Sequence, residues 1–452
     1  MTGSTADVVI VGSRCSGAPL ATHLARAGVR VTLLDKARFP SDTASTHIIQ
    51  PRGTAALERL GVLERLRAEG AADIARLTVH YADVRLEAVY DSDAAAQRLS
   101  TGRTAGLSIR RPALDAALLE IARDNGVDVR PRTPVTDMLR DGSGRVTGVR
   151  TREGTVTARL VVGADGRDSF VARAVGARKY ATYSAPRFAA WSYYRGARAD
   201  AGRLRIGRFG TTALIATPTD NDLLLVGVVP AMAEREQFLA DRDGGFAQRL
   251  RHWPELADVV QGARREGPMR IVPDWQAYFR ESAGPGWVLV GDAGHFKDPS
   301  AAQGITDALR QAEGLAASIT SGLDTDVDAA TQAWWRARDR DCRDMHWFAR
   351  DMGAAGPTTP AMTEVVREVA ATDSMLLAQV LNRDVPSSAV VTTARVGRAA
   401  AAALHRHPAA LPALARESAR VTSTRARWAT GAVRGRYLRH GGSRIRRPAG
   451  LR

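Results

Sequence analysis

The chain lacks long hydrophobic runs and contains only two cysteines. No stretch of its 452 residues approaches about 18 consecutive apolar residues, so we expect no transmembrane helix. Cys15 and Cys342 lie far apart in the sequence. They predict neither a disulfide framework nor a metal site, and they favour a reducing cytoplasm as the location. The segment MTGSTADVVIVG has no basic region before its apolar run, so that run predicts a strand and not a signal peptide.

Acidic residues are scarce in residues 395–452. This segment contains 14 arginines, one glutamate and no lysine or aspartate, so it carries +13 of the formal net charge of +16. Two interpretations stay open: a solvated extension, or a surface that docks an anionic partner such as a carrier protein or an acidic lipid surface. Nucleic-acid binding is disfavoured, because only Trp428 and Tyr437 supply aromatic rings there.

Residues 7–35, DVVIVGSRCSGAPLATHLARAGVRVTLLD, predict a strand–helix–strand unit. Gly12 ends the first apolar run, Gly17 opens an amphipathic helix, and Asp35 closes the second run. In dinucleotide-binding units a glycine turn brings backbone N–H groups to a pyrophosphate, and a carboxylate at the next strand end accepts ribose hydroxyls. Arg14 replaces the second glycine of G-x-G-x-x-G. The alternative is an ordinary core unit of this type.

Two later stretches repeat the pattern of a buried strand followed by glycine and aspartate. Residues 160–173, LVVGADGRDSFVAR, place Asp165 and Gly166 after a strand. Residues 285–317 place Gly291 and Asp292 after a strand and Pro299 and Gly304 before a helix. Together with the first unit, these stretches resemble the FAD-dependent oxidoreductases of the p-hydroxybenzoate hydroxylase-like superfamily. That group includes aromatic monooxygenases, flavin halogenases and geranylgeranyl reductases, and the resemblance covers about residues 5–345.

The resemblance implies an α/β fold with a discontinuous Rossmann-like FAD-binding domain, a mixed β-sheet substrate domain and a C-terminal helical extension. The expected FAD-binding domain comprises residues 1–75, 102–180 and 285–345, and the substrate domain comprises 76–101 and 181–284. Residues 346–409 form the helical region, and residues 410–452 form an Arg-rich tail that we expect to be partly disordered.

The same resemblance implies roles for residues beyond the first unit. The Arg111 guanidinium holds the FAD pyrophosphate, with a solvated first-turn arginine as the alternative. Asp165 and Gly166 lie where the pyrophosphate and the NAD(P)H path meet, and Asp165 also suits helix capping. Gly291 and Asp292 end the third strand, and the Asp292 carboxylate reaches the ribityl hydroxyls.

Other residues are expected at the isoalloxazine ring. Pro299 and the helix start at Gly304 face it, in a stretch where Ala302 stands at the first glycine of the family's Gly-Gln-Gly. Thr46 and His47 are candidates for contacts to the ring or the nicotinamide, although His47 equally suits a loop histidine bonded to backbone. Three aromatic residues of one predicted strand either line a substrate pocket or pack as core: Trp191, Tyr193 and Tyr194.

The family's monooxygenases reduce FAD with NADPH or NADH, trap O₂ as a flavin C4a-hydroperoxide and transfer one oxygen atom. The resemblance therefore implies hydroxylation or epoxidation of a small, secondary-metabolite-like substrate that is free, carrier-tethered or lipid-like. No catalytic side chain is assigned, because the cofactor performs the difficult chemistry. A geranylgeranyl-reductase-like reduction of C=C bonds is the first alternative, and a non-catalytic FAD-fold binding subunit is the second.

Halogenation is disfavoured on sequence. Flavin halogenases use a lysine remote from the flavin and carry a W-x-W-x-I-P stretch, which is absent here. The chain contains only Lys36, Lys179 and Lys297, all in or beside the three motifs and none in the expected region.

Overall fold

The computed structural model describes residues 3–412 and 414–417. The strands of this range are β1 (Gly3–Val11), β2 (Val31–Leu34), β3 (Ile48–Ile49), β4 (Ala72–Ile74), β5 (Arg76–Tyr81), β6 (Val84–Val89), β7 (Gly106–Ser108), β8 (Asp128–Arg130), β9 (Val135–Arg140), β10 (Val146–Thr151), β11 (Thr155–Gly163), β12 (Lys179–Ser184), β13 (Ala189–Arg195), β14 (Arg203–Phe209), β15 (Thr212–Thr219), β16 (Leu223–Val229), β17 (Arg264–Val272), β18 (Gln276–Arg280), β19 (Ala283–Gly284), β20 (Trp287–Leu289) and β21 (His295–Phe296).

The helices of the same range are α1 (Gly17–Arg26), α2 (Pro51–Leu60), α3 (Leu63–Ala68), α4 (Asp93–Arg98), α5 (Arg111–Asp124), α6 (Phe170–Ala174), α7 (Arg235–Ala240), α8 (Arg242–Leu250), α9 (Pro254–Val260), α10 (Gly304–Gly322), α11 (Val327–Met352), α12 (Pro360–Thr372), α13 (Leu376–Leu381) and α14 (Thr393–Arg406). The expected disorder of the Arg-rich tail falls mostly on residues outside the described range.

A central sheet with strand order β19-β20-β11-β1-β2-β8 carries the three sequence motifs. Strand β1 pairs in parallel with β2 on one side and with β11 on the other, and β11 pairs in parallel with β20. The antiparallel β9–β10 hairpin extends from β11. Because α1 connects β1 to β2, the strand–helix–strand unit expected from residues 7–35 is present, with β1 starting earlier, at Gly3.

Both faces of this sheet are covered, which explains why its strands are apolar at successive positions. Val8 and Ile10 pack with Leu20, Leu118 and Leu315 in the core on the side of α1, α5 and α10. The alternate residues of β1 face the opposite core, which is formed with the β9–β10 hairpin and α6. The fold class expected from the sequence, an α/β protein with a Rossmann-like domain and further mixed sheets, is confirmed.

A second sheet of seven strands has the order β17-β13-β16-β15-β14-β5-β6. Its pairs are antiparallel except for β14 with β5. Phe188, Trp253 and Phe238 form a core between this sheet and the small helices α7, α8 and α9. The sheet draws its strands from both segments of the proposed substrate domain, and the exact domain limits stay a proposal.

The helices that follow α11 cover the far edge of the seven-stranded sheet. Val369 of α12 and Leu376 of α13 pack against Leu86 of β6, and Met375 and Val380 join a core with Leu77 of β5. Within the described residues, every helix is too short or too polar to cross a membrane.

Candidate functional site

The loops that carry the three motifs meet at one edge of the central sheet. Because β1, β11 and β20 run in parallel, their carboxyl ends lie side by side, and Gly12, Asp165 and Gly291 follow these ends. These loops and the N-terminus of α10 line a cavity of about 530 Å³ that continues to β13 of the seven-stranded sheet. We call the side around Gly12 and Arg111 the loop end and the side around Trp191 and Pro299 the sheet end.

Ten of the residues predicted for the site line this cavity: Gly12, Asp35, Thr46, Arg111, Asp165, Gly166, Gly291, Asp292, Pro299 and Gly304. Gly17 and His47 are not among the lining residues and lie behind the wall. The cavity thus joins residues that are distant in sequence, while the contact of each with a cofactor stays a prediction.

The first loop requires both of its glycines for steric reasons. Gly12 has φ of 100°, and a Cβ atom there would lie 2.5 Å from the Ala164 carbonyl oxygen. A Cβ atom on Gly17 would lie 1.7 Å from the carbonyl oxygen of Gly12. Gly17 therefore acts by letting α1 begin directly against the loop, which keeps the helix N-terminus at the cavity wall.

Arg14, at the position of the missing glycine, brings a second guanidinium to the loop end. Both Arg14 and Arg111 form ion pairs with Asp115, whose side chain is fully buried. Arg14 also donates to Ser41, at 2.8 Å from Nη2 to the hydroxyl. Cys15 packs beside Asp115, and burial raises the pKa of its thiol to about 12, so Cys15 is a protonated packing residue.

Asp35 is fixed by the loop that it faces. Its Oδ2 accepts hydrogen bonds from the Ser13 amide at 2.7 Å and the Ser13 hydroxyl at 2.9 Å, and its Oδ1 accepts from the Ala37 amide at 2.7 Å. The carboxylate is thereby oriented at the cavity wall. Oδ2 thus uses both of its lone pairs, while Oδ1 keeps one for a further donor, such as a ribose hydroxyl.

Asp165 lines the cavity and also bonds the start of α6, as its expected capping role requires. Its Oδ2 accepts from the Val171 amide in the first turn of α6, while Ser169 is the N-cap residue and accepts from Ala172. Its Oδ1 is buried and has no partner among the described residues. Burial raises the pKa of Asp165, because the few hydrogen bonds to this carboxylate do not offset its removal from water.

The Asp292 side chain accepts no hydrogen bond from the described residues, although it lines the cavity. Burial raises its pKa, against the opposing effect of Arg167, Lys297 and Arg111. Gly291 before it has φ of 62°, and a Cβ atom there would lie 2.7 Å from the Ser16 hydroxyl. The third motif thus brings an open acceptor close to the first loop.

At the sheet end, a short 3₁₀ turn, Pro299–Ala301, leads into α10. Asp298 caps this turn by accepting from the Ser300 amide at 3.0 Å, and the Trp275 indole donates to Asp298 at 3.1 Å. Ala302 has φ of 49°, so the residue that replaces the family's glycine adopts the left-handed conformation that favours glycine. Gly304, the first residue of α10, is exposed, with open space around its Cβ position.

The His47 ring is bonded to a side chain and not to the loop backbone. Its Nε2 contacts the hydroxyl of Tyr193, which also accepts from the Trp191 indole at 3.3 Å. Burial lowers the pKa of His47 to about 3, so the ring is neutral. Trp191 lines the cavity, Tyr193 lies behind it, and Tyr194 packs on the core beside α7 to α9.

Sequence reasoning missed a buried charged group at the sheet end. Lys297 and Asp307 both line the cavity and form an ion pair, and Arg383 donates to the same carboxylate at 2.8 Å. Asp307 was recognisable as an acidic residue in the first turn of a predicted helix. Arg383 has no signal in the sequence, since it lies in a loop 76 residues further along the chain.

The composition of the wall fits FAD. The loop end presents arginines and a helix N-terminus, which suit a pyrophosphate. The oriented Asp35 suits a ribose, and the open oxygens of Asp165, Asp292 and Gln303 are acceptors for hydroxyl or ring N–H groups. The two buried glycine positions leave no room for side chains where a phosphate approaches the backbone.

Comparison with known proteins agrees with this geometry. Residues 5–340 match the family model of the FAD binding domain. The chain is 31% identical to the 6-methylpretetramide 4-monooxygenase of Streptomyces rimosus, over 71% of this chain and 77% of that protein. It is 29% identical to the menaquinone reductase of Mycolicibacterium smegmatis, over 72% of this chain and 79% of that protein.

A third relative belongs to another reaction class. The chain is 27% identical to the tryptophan 2-halogenase of Chondromyces crocatus over 73% of its own length, and it spans 63%, less than two thirds, of that relative. Oxygenation, reduction and halogenation are thus all represented among similar proteins. With a family match over most of its length, the chain belongs to the FAD binding domain family of flavin-dependent oxidoreductases.

Proposed function

We propose that this protein is an FAD-dependent monooxygenase that uses NADPH or NADH to hydroxylate or epoxidise a small organic substrate. The observation that carries the proposal is the continuity of one cavity from the dinucleotide loops to an aromatic wall. Trp191, Val272 and Trp275 line the sheet end together with Pro299, so an apolar or aromatic substrate would lie against the cofactor edge. The monooxygenase of Streptomyces rimosus supports this choice of reaction.

The proposed roles follow the geometry. The amides of the Gly12 loop and the guanidinium groups of Arg14 and Arg111 bind the pyrophosphate, Asp35 binds the ribose, and Asp292 binds the ribityl chain. When bound, FAD supplies hydride acceptance from NAD(P)H and activation of O₂. One oxygen atom enters the substrate and the other leaves as water, while NAD(P)H supplies two electrons. The protein wall orients the ring and excludes water.

The test is the visible spectrum of the purified protein, reconstituted with FAD, during anaerobic addition of NADPH or NADH and then of oxygen. We expect bound flavin to bleach with the reductant and to regain colour with oxygen, with consumption of O₂. Free FAD at equal concentration is the control, since it lacks the binding site that aligns the nicotinamide. Incorporation of ¹⁸O from ¹⁸O₂ into a product identifies oxygen transfer. Absence of FAD binding after reconstitution would refute the proposal.

Reduction of a C=C bond or a quinone is the second candidate, favoured by the similarity to a menaquinone reductase. It predicts that the reduced protein stays bleached in air for minutes and is reoxidised by an unsaturated acceptor. A menaquinone analogue in detergent is the probe. Fast reoxidation by oxygen alone, with no acceleration by the analogue, would reject this candidate.

The lysine positions do not favour halogenation by this chain, despite the halogenase among its relatives. The ammonium group of Lys297 is already held in an ion pair with Asp307. Lys36 lies at the loop end, and Lys179 lies on β12 with its ammonium 4.4 Å from the ring centre of Tyr278. A chloride- or bromide-dependent product in the same assay would overturn this interpretation.

We further propose that the Arg-rich tail docks an anionic partner, which would present a carrier-tethered or lipid-like substrate. Its positive charge supports this. Truncation after Glu417 keeps Leu414, which is buried, and the bond from Thr359 to Glu417. We expect truncation to weaken binding to an acyl carrier protein or to anionic vesicles, with the difference lost at high salt. Unchanged binding to both would leave the solvated extension as the interpretation.

A further inference from the structure

A buried charged cluster stands behind the sheet end of the cavity. The side chains of Lys297 and Asp307 are 5% and 4% exposed and form an ion pair. Asp307 lies in the first turn of α10, whose first residue, Gly304, opens on the cavity. The second oxygen of Asp307 accepts from Arg383, and Arg310 lies 3.5 Å from it. One carboxylate therefore meets three cations.

Arg383 comes from outside the family domain, which ends at residue 340. Its side chain is 7% exposed, and its Nη2 also donates to Asp341 at 2.8 Å. The neighbouring residues tie the same segment to the cavity wall: the Leu381 carbonyl accepts from the Gln303 side-chain amide at 2.7 Å, and the Asn382 side chain accepts from the Arg52 backbone amide at 2.9 Å. The C-terminal segment Leu381 to Asp384 is thus fixed directly against the loop that precedes α10.

A metal site is the competing interpretation of this cluster. Potential ligand atoms of His295, Asp307 and Cys342 lie within 4.8 Å of one another. Asp307, however, is already bonded to Lys297 and Arg383, and a metal cation would have to enter beside these two positive charges. Burial also raises the pKa of the Cys342 thiol, which therefore carries no compensating charge. The surroundings suit an anion and not a metal cation.

The charges of the cluster do not cancel. Lys297, Arg310 and Arg383 face Asp307 on the inside, and Asp341, which is 48% exposed, faces two of them from the outside. Burial alone would raise the pKa of Asp307, but the three cations lower it, so the carboxylate stays ionised. With two negative and three positive groups, the cluster keeps one positive charge behind the wall at Gly304.

We propose that Arg383 is a positioning residue that holds Asp307 and Lys297 in place and gives this cluster, behind the sheet end, a net positive charge that favours anionic reduced FAD over oxidised FAD. This inference rests on the proposed placement of FAD with its ring beside Pro299 and Gly304. A charge buried in a wall of low polarity acts over a longer distance than one in water. The helix N-terminus at Gly304 acts in the same direction.

The test is the midpoint potential of bound FAD, measured by anaerobic dithionite titration against a reference dye. For Arg383→Met we expect the preference for reduced over oxidised FAD to fall about tenfold. For a two-electron couple this corresponds to a midpoint potential about 30 mV more negative than that of the wild type. Arg383→Lys keeps the charge and should restore the potential. Asp341→Asn removes the outer negative charge at a half-exposed position, so it should shift the potential in the opposite direction.

Asn382→Ala is the matched control, because it removes a tether of the same segment without changing charge. A merely structural role predicts that Arg383→Met and Asn382→Ala lower the melting temperature and leave the potential unchanged, which would overturn the inference. An unshifted potential in Asp341→Asn would do the same even if Arg383→Met fails to fold. Because the titration needs neither NAD(P)H nor oxygen, its result is independent of the proposed reaction. Wild-type protein that binds no FAD would refute both the proposed function and this inference.

Discussion

The two ends of the cavity are built in different ways. At the loop end, Gly12, Gly17 and Asp35 come from one strand–helix–strand unit, and their positions follow from local geometry. At the sheet end, the wall combines β13 and the turn before α10, and a C-terminal segment beyond the family domain is bonded to this wall from behind. The comparison indicates that the first loop is positioned by local geometry, whereas the sheet end depends on contacts between distant segments.

The largest effect at neutral pH should come from the glycine that supports the loop end. Gly17→Ala places a Cβ atom against the Gly12 carbonyl oxygen, so the loop or α1 must move. We expect a loss of about 3 kcal/mol in the free energy of unfolding, together with loss of bound FAD. Urea denaturation and the flavin content of the purified protein measure both.

The control for that substitution is Gly397→Ala in α14, where a Cβ atom meets nothing within 4 Å. It should be neutral or stabilise the protein by up to about 1 kcal/mol, because alanine is the better helix former. Gly17→Ala protein with normal flavin content and an unchanged urea midpoint would show that the loop end does not depend on this close approach.

Substitution of Asp292 should change FAD affinity and the free energy of unfolding in opposite directions. Asp292→Asn loses a charged acceptor, and we expect FAD to dissociate about tenfold more readily, or about 1.4 kcal/mol. The protein without FAD should become more stable at neutral pH, because burial of the ionised carboxylate, whose pKa is raised, costs free energy. Flavin fluorescence titration and urea midpoints with and without FAD test this.

The sign of the pH dependence gives a further check. The stability gain of Asp292→Asn should be complete above the raised pKa and should vanish as the pH falls below the ordinary value of 3.8, where the carboxyl is neutral in both states. Asp137→Asn, at an exposed position on β9, should show neither effect. A stability gain that persists at pH 3 would contradict the assigned cause.

Acid should destabilise the protein through two buried histidines, His47 and His346 of α11. Burial lowers the pKa of His47 and of His346 to about 3, so the folded state binds fewer protons than the unfolded state between pH 6.5 and 3. Stability should therefore fall with pH in that window, by up to about 1.4 kcal/mol per unit for each histidine. His346→Gln should reduce this slope, measured as urea midpoints from pH 7 to 4.5.

For comparison, His405→Gln changes an exposed histidine of α14 and should leave the slope as in the wild type. Equal slopes in His346→Gln and wild-type protein would place the acid sensitivity elsewhere in the molecule.

The smallest effect is expected at the left-handed residue before α10. Ala302→Gly relieves a conformation that costs alanine about 1 kcal/mol, but glycine gains a similar entropy in the unfolded chain. The net change in stability should stay below about 1 kcal/mol. Ala301→Gly, at a buried position with an ordinary conformation, should be clearly destabilising. Equal urea midpoints for the two variants would contradict the role of the backbone angle.

The same contrast explains what the sequence could predict. Asp165 and Asp292 both line the cavity because aspartates that follow parallel strands meet at one sheet edge, while their contacts with FAD stay a prediction. The bond from His47 to Tyr193 spans 146 residues, and that from Arg383 to Asp307 spans 76. No local periodicity or motif spacing indicates contacts between such distant residues, so they could be identified only from the structure. For His47, the alternative of a ring bonded to backbone did not foresee its bond to a tyrosine, and its contact with the flavin or the nicotinamide stays a prediction.

Asp115 has a practical consequence for work with this protein. Its buried carboxylate pairs with Arg14 and Arg111, the two cations that we place at the pyrophosphate. Removal of the cofactor therefore leaves neither guanidinium unpaired, and the empty fold avoids the cost of isolated buried charge. We expect the protein to survive deflavination and to accept synthetic flavin analogues, whose altered rings would report directly on the chemistry at the sheet end.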